Sequence, residues 1–178
     1  MFPSHDHCGI VTSTTLNVGA AGTIITTNVG FGSVGIGSTL PTAMLDVVGH
    51  TKFKTYSEAV TSPSIVANEV ELDLSAAQSF TITAIADINA FVLKNPPSGS
   101  TSFTVKILQD STGGHSVGID TFKNSSGTAI PVYWPGGGVL PIVTTTADRS
   151  DIYSFKLFDG DNATSSGLYG VVGGQNFA

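Results

Sequence analysis

His5-Asp6-His7, followed directly by Cys8, is the densest group of potential ligands and nucleophiles in the chain. An H-x-H pair presents imidazole nitrogens suited to a transition-metal ion. A cysteine beside histidine is the pairing that activates a thiolate. Against both chemistries, the first few residues of a chain are usually frayed and solvated unless something ties them down. A nucleophile needs a rigid, desolvated setting that holds its base in place. The reading is therefore a solvated terminus, with His5 and His7 kept as metal candidates only.

Three further clusters carry residue types that do chemistry elsewhere. Asp159-Gly160-Asp161-Asn162 spaces oxygen ligands as a calcium loop does, but lacks the bidentate Glu and the longer ligand series such loops use. Asp-Gly is also a strong hairpin signal, and a turn is the preferred reading. Pro135-Gly136-Gly137-Gly138 has the glycines of a phosphate loop without a following Lys-Ser or Lys-Thr and without a helix to present its dipole, so it reads as a plain loop. Tyr133-Trp134 offers aromatic faces on which the CH face of a sugar ring could stack, and is the candidate receptor-binding surface. The competing reading makes Trp134, the single tryptophan, a core anchor at a strand end.

No carboxylate pair, Ser-His-Asp set or other Cys-His pair stands in a context that suits catalysis, so the chain is read as a non-enzyme needing no cofactor. Composition narrows the function further. Asp, Glu, Lys and Arg make up only 11% of residues, against about a quarter in ordinary soluble domains, so hydroxyls, amides and glycine must form the surface. A net charge of −6, with seven scattered basic residues, argues against a nucleic-acid partner, which requires clustered Lys and Arg. The first Lys or Arg is Lys52 and no apolar run is long enough to span a bilayer, so neither a signal peptide nor membrane insertion is expected. Cys8 is the only cysteine, which excludes an intrachain disulfide.

The elements that must position these groups are strands. Up to about residue 55, glycine follows small apolar residues repeatedly, as in Val18-Gly19, Val29-Gly30, Ile36-Gly37 and Val48-Gly49, a density no helix tolerates. Strand-like pieces at Thr23–Thr27 and Leu45–Val48 are too short to close a core alone and need neighbours, including other copies of the chain. After a polar stretch containing Tyr56, Ser57, Glu58 and Pro63, alternation becomes clear: Val70, Leu72 and Leu74 share one face, and Phe103, Val105 and Ile107 share another. Strands are expected also at Phe80–Ile82, Phe91–Leu93, Val117–Ile119, Val139–Val143, Ile152–Phe158 and Leu168–Val172. Short strands at roughly 8–12-residue spacing, punctuated by Gly and Pro, predict an antiparallel sandwich or jelly roll.

Two stretches resemble a known family. Val34-Gly35-Ile36-Gly37-Ser38-Thr39-Leu40-Pro41-Thr42-Ala43-Met44-Leu45-Asp46-Val47-Val48-Gly49 is similar to an element of bacteriophage tail-fibre shafts. From about residue 68 to 177, the Val70 to Leu74 strand, Asn95-Pro96-Pro97, Leu108 to Gly114, Val132 to Gly137, Thr144 to Ile152 and Gly174 to Phe177 follow the order of blocks in a β domain near the ends of such fibres. The resemblance implies a homotrimeric virion fibre with a shared threefold axis; the chain departs from it in being far shorter than complete fibres usually are. On that axis, three His5/His7 pairs would offer six imidazoles, enough for octahedral coordination.

The expectation is an all-β chain: a glycine-rich, intertwined β stalk over residues 1–67 and an antiparallel β-sandwich or jelly-roll-like head over 68–178, assembled as a trimer. Its expected partners are itself, neighbouring virion proteins and a host surface glycan or protein receptor, and its expected place is the virion, as a tail fibre or fibre tip. A capsid-decorating or baseplate-associated structural protein is the main alternative. A polysaccharide depolymerase is a third, which normally requires clustered carboxylates on a larger β-helix.

Overall fold

The structure is a computed structural model, described for residues 34–36 and 43–178. His5, His7, Cys8 and the Thr23–Thr27 segment lie outside the described residues. The chain divides into two compact units, Met1–Thr55 and Tyr56–Ala178.

In the first unit, β1 (Val34–Ile36) pairs in parallel with β2 (Leu45–Val47), with Val34 opposite Leu45 and Ile36 opposite Val47. Met44, Leu45, Val48 and Phe53 stand exposed.

The second unit is built from β3 (Val60–Thr61), β4 (Ile65–Val66), β5 (Glu69–Asp73), β6 (Ser79–Ala84), β7 (Ala90–Lys94), β8 (Thr101–Gln109), β9 (Phe122–Asn124), β10 (Ala129–Ile130), β11 (Val132–Tyr133), β12 (Ser150–Leu157) and β13 (Leu168–Phe177). They form a five-stranded sheet in the order β10-β9-β7-β5-β4 and a six-stranded sheet in the order β11-β13-β12-β8-β6-β3. Period-2 patterning explains which side chains face inward: Phe103, Val105 and Ile107 are buried, while Ser102 and Lys106, which alternate with them, are exposed. The shared core is aromatic. Phe91 and Phe122 from one sheet stack at 5.1 Å, and Phe103 and Phe155 from the other stack at 5.2 Å. Phe122 meets Phe155 at 5.0 Å and joins the two layers.

The all-β, two-sheet character is as expected, but the pairing is mixed, not antiparallel. β5, β7 and β9 are parallel neighbours in one sheet, and β3, β6 and β8 are parallel neighbours in the other. Between Glu69 and Asn124 the chain crosses from one sheet to the other after every strand, so strands two apart in sequence become parallel partners. Antiparallel pairing is confined to β4–β5, β9–β10, β8–β12 and β12–β13.

Residues 56–67, placed with the stalk on composition, supply β3 and β4 to the two sheets of the second unit. The 67/68 boundary falls inside the two-residue β4–β5 turn, where Ala67 (φ 51°) and Asn68 (φ 62°) are both left-handed, as a type I′ hairpin requires. Two other expected strands do not form. Val117–Ile119 contributes only a single bridge, Ile88 to Val117, and the strand follows at Phe122–Asn124. Val139–Val143 is irregular, since Pro141 has no N–H to give a ladder, and Val139, Leu140 and Ile142 are exposed.

Candidate functional site

Tyr133 and Trp134 do not form one surface. Both lie on extended backbone, and successive side chains of extended chain point to opposite faces. Trp134 turns inward and is only 6% exposed, with Phe155 at 5.7 Å and Tyr153 at 6.1 Å from its ring. Gly170 makes the space: a Cβ there would sit 2.7 Å from the indole carbons. Trp134 is thus the core anchor of the alternative reading, and the expected two-residue stacking platform is corrected to one residue, Tyr133, which is 46% exposed.

Tyr133 finds other aromatic neighbours. Parallel pairing of β11 with β13 sets it opposite Tyr169, with ring centroids 5.1 Å apart. Phe158, just past the end of β12, meets Tyr169 edge-on at 5.3 Å. Tyr169 is 45% and Phe158 59% exposed. The Nζ of Lys156 lies 5.8 Å from the Phe158 ring centre, within cation–π range. Register then extends the row: Tyr169 opposes Lys156 across β12–β13, and Lys156 opposes Ser102 across β8–β12. Gly167, at φ 71°, fixes one end, because a Cβ there would lie 2.6 Å from the Tyr133 ring. Three exposed rings with a lysine beside them form a surface suited to stacking against a flat apolar face while hydrogen bonding at its edge.

The sequence does not mark Tyr169 and Phe158 as part of this surface, because neither adjoins Tyr133. The signal that locates them is alternation: with Leu168 inward Tyr169 must point outward, on the face that also carries Tyr133.

The other clusters are structural. The Asp159 carboxylate accepts from the Asn162 N–H at 3.2 Å and from its Nδ2 at 3.0 Å. Asp161 accepts from Ser98 Oγ at 2.8 Å, and the Gly160 N–H donates to Gly99 O at 2.8 Å. The segment therefore docks on the 96–99 loop, and the β12–β13 connection is longer than an Asp-Gly hairpin, containing a helical turn at Ala163–Ser166. Gly136, Gly137 and Gly138 are all left-handed, which makes Pro135–Gly138 a tight turn in keeping with the plain-loop reading. His115 Nε2 stands 3.3 Å from Asp110 Oδ1, whose oxygen already accepts the N–H groups of Thr112 and Gly113. Among the described residues no group of three His, Cys, Asp or Glu side chains is placed to hold a metal ion.

On the outer face of the five-stranded sheet, Glu71 pairs with Lys94 at 3.0 Å and Glu69 with Lys123, so two of its three strand carboxylates are engaged by cations. A cavity of about 690 Å³ borders them, with Thr61, Val66, Asp73 and Val92 in its wall. Asp73 is held below the usual carboxylate range, chiefly by the Ser75 hydroxyl and then by the Asn95 amide.

No family model, curated protein or solved structure matches this chain.

Proposed function

We propose that the chain is a virion fibre protein, a tail fibre or fibre tip, which assembles with two further copies of itself and contributes to attachment at the host surface. The observation that carries this reading is the state of the first unit. Its described strands are three residues each, and Met44, Leu45, Val48 and Phe53 face solvent in a single chain. Burying an apolar side chain of this size contributes about 1.5–3 kcal/mol, so copies that cover these residues mutually gain what one chain lacks. The resemblance of Val34–Gly49 to fibre-shaft elements gives the assembly its form, a trimer about a shared axis. Neighbouring virion proteins are its further partners.

Attachment is assigned to the second unit, where Tyr133, Tyr169 and Phe158 are exposed together. The test is adsorption of fluorescently labelled full-length protein to bacterial cells susceptible to the parent virus. The expected result is saturable labelling that unlabelled protein competes away. Cells left bare by an assembled protein would contradict attachment and favour a capsid-decorating or baseplate role.

A further inference from the structure

The two sheet faces differ in charge in a way the net charge conceals. The outer face of the five-stranded sheet carries Glu69, Glu71 and Asp73 together with Lys94 and Lys123. On the outer face of the six-stranded sheet, the outward positions of β6, β8, β12 and β13 include serine, threonine, glycine, aliphatic side chains, Tyr169, Phe177, Lys106 and Lys156. None is Asp or Glu. The nearest loop acid in sequence, Asp159, turns its carboxylate to Asn162. Glu58 reaches this sheet only at Ser79 on β6, three strands away from β13. Among the described residues Lys156 therefore has an aromatic neighbour and no carboxylate partner, in a chain of net charge −6.

We propose that this face binds an acidic saccharide: a pyranose ring stacks on the Tyr133–Tyr169–Phe158 surface and its carboxylate pairs with Lys156. The inference rests on the attachment reading above and names its ligand class. A sugar ring has one face of C–H bonds, which suits the electron-rich face of an aromatic ring, and hydroxyls at its edge, which suit the hydroxyls of Ser102 in the same row and Ser154 in the next. A neutral sugar would use the rings and offer Lys156 only hydroxyl oxygens, which accept a weaker hydrogen bond than a carboxylate does. A hexuronate uses both. Because charges beyond about 10 Å are screened at ordinary ionic strength, Lys156 acts on the ligand more than the acids on the outer face of the five-stranded sheet do.

The experiment is calorimetric titration of the full chain with tetragalacturonate and with its carboxyl-reduced, neutral counterpart, in wild type and in Lys156→Gln, Tyr169→Ala and Tyr133→Ser. Emission of the buried single tryptophan, Trp134, verifies that each variant is folded. One charge-assisted contact at a partly exposed lysine corresponds to about a tenfold preference for the acidic sugar. Lys156→Gln is expected to abolish that preference, leaving the two sugars with equal affinity, and Tyr169→Ala to lose both ligands. Raising salt should weaken only the acidic ligand. Equal affinity of wild type for the two sugars, or a preference that survives Lys156→Gln, overturns the acidic class. Binding of neither sugar overturns the inference altogether. If the same protein still adsorbs to cells, the attachment reading stands with a different receptor; if it does not, both fall.

Discussion

Asp151 ties three parts of the chain to one carboxylate. It is 1% exposed, its Oδ1 accepts the Asn176 N–H at 2.8 Å, and its Oδ2 accepts the Thr144 N–H at 2.7 Å, the Tyr153 hydroxyl at 2.9 Å and Gln175 Nε2 at 3.3 Å. Burial pushes its pKa up, but the hydrogen bonds outweigh burial and hold it below the usual carboxylate value. The folded chain thus takes up this proton less readily than the unfolded chain. Asp151 contributes fully at pH values above the ordinary carboxylate pKa, and its contribution is lost as pH falls through the lower folded-state value. Tyr153 shifts the opposite way, raised by burial and by its bond to the Asp151 carboxylate. Its contribution is complete below about pH 10, the ordinary tyrosine pKa, and is lost as pH rises from there toward the folded value. Denaturant unfolding followed by Trp134 emission should give stability that is level near neutrality and falls on both sides. Asp151→Asn should cost about 2 kcal/mol at pH 7, since an amide cannot accept all four donors. A variant as stable as wild type would show that the carboxylate does not hold these segments. The residue scale also explains what could be read of the binding surface. Tyr133 is legible in the sequence as an aromatic face beside Trp134, yet the two cannot share a surface because neighbours on extended chain face opposite ways.

At the scale of elements, inward-facing residues were readable because alternation needs only the local chain. Val70, Leu72, Phe103, Val105 and Ile107 are all buried as the pattern requires. Partner choice was not readable. Asn95-Pro96-Pro97-Ser98-Gly99 stops β7 in the way a hairpin turn would, but the chain crosses to the other sheet, and β7 pairs with β5 and β9. Turn residues specify where a strand ends, and the direction of the next strand depends on the core it must cover. The β4–β5 hairpin has a local flaw of its own: Ala67 sits at φ 51°, a left-handed conformation that costs an L-residue with a Cβ about 1 kcal/mol. Ala67→Gly should therefore stabilise the second unit, by up to about 0.5 kcal/mol after the glycine's extra unfolded-state freedom is counted against the relieved strain. A shift of the urea midpoint to higher concentration, with unchanged slope, is the expected result. A lower midpoint would show that the turn is not strained.

The whole molecule joins a unit with its own aromatic core, Tyr56–Ala178, to one whose described strands expose apolar side chains. Glycine density announced that difference in the sequence, although the boundary fell late because β3 and β4 are only two residues each and lie in polar surroundings. Oligomeric order cannot be written in one chain's alternation, since an apolar position looks the same in the sequence whether its own chain or another copy covers it. The proposal that three copies cover each other's apolar residues is therefore tested most directly by the mass of the full chain in solution, measured by light scattering over a range of concentrations. The account predicts about three times the 18.2 kDa chain mass, independent of dilution. A mass of one chain would contradict it and leave a two-sheet domain that meets its partners singly.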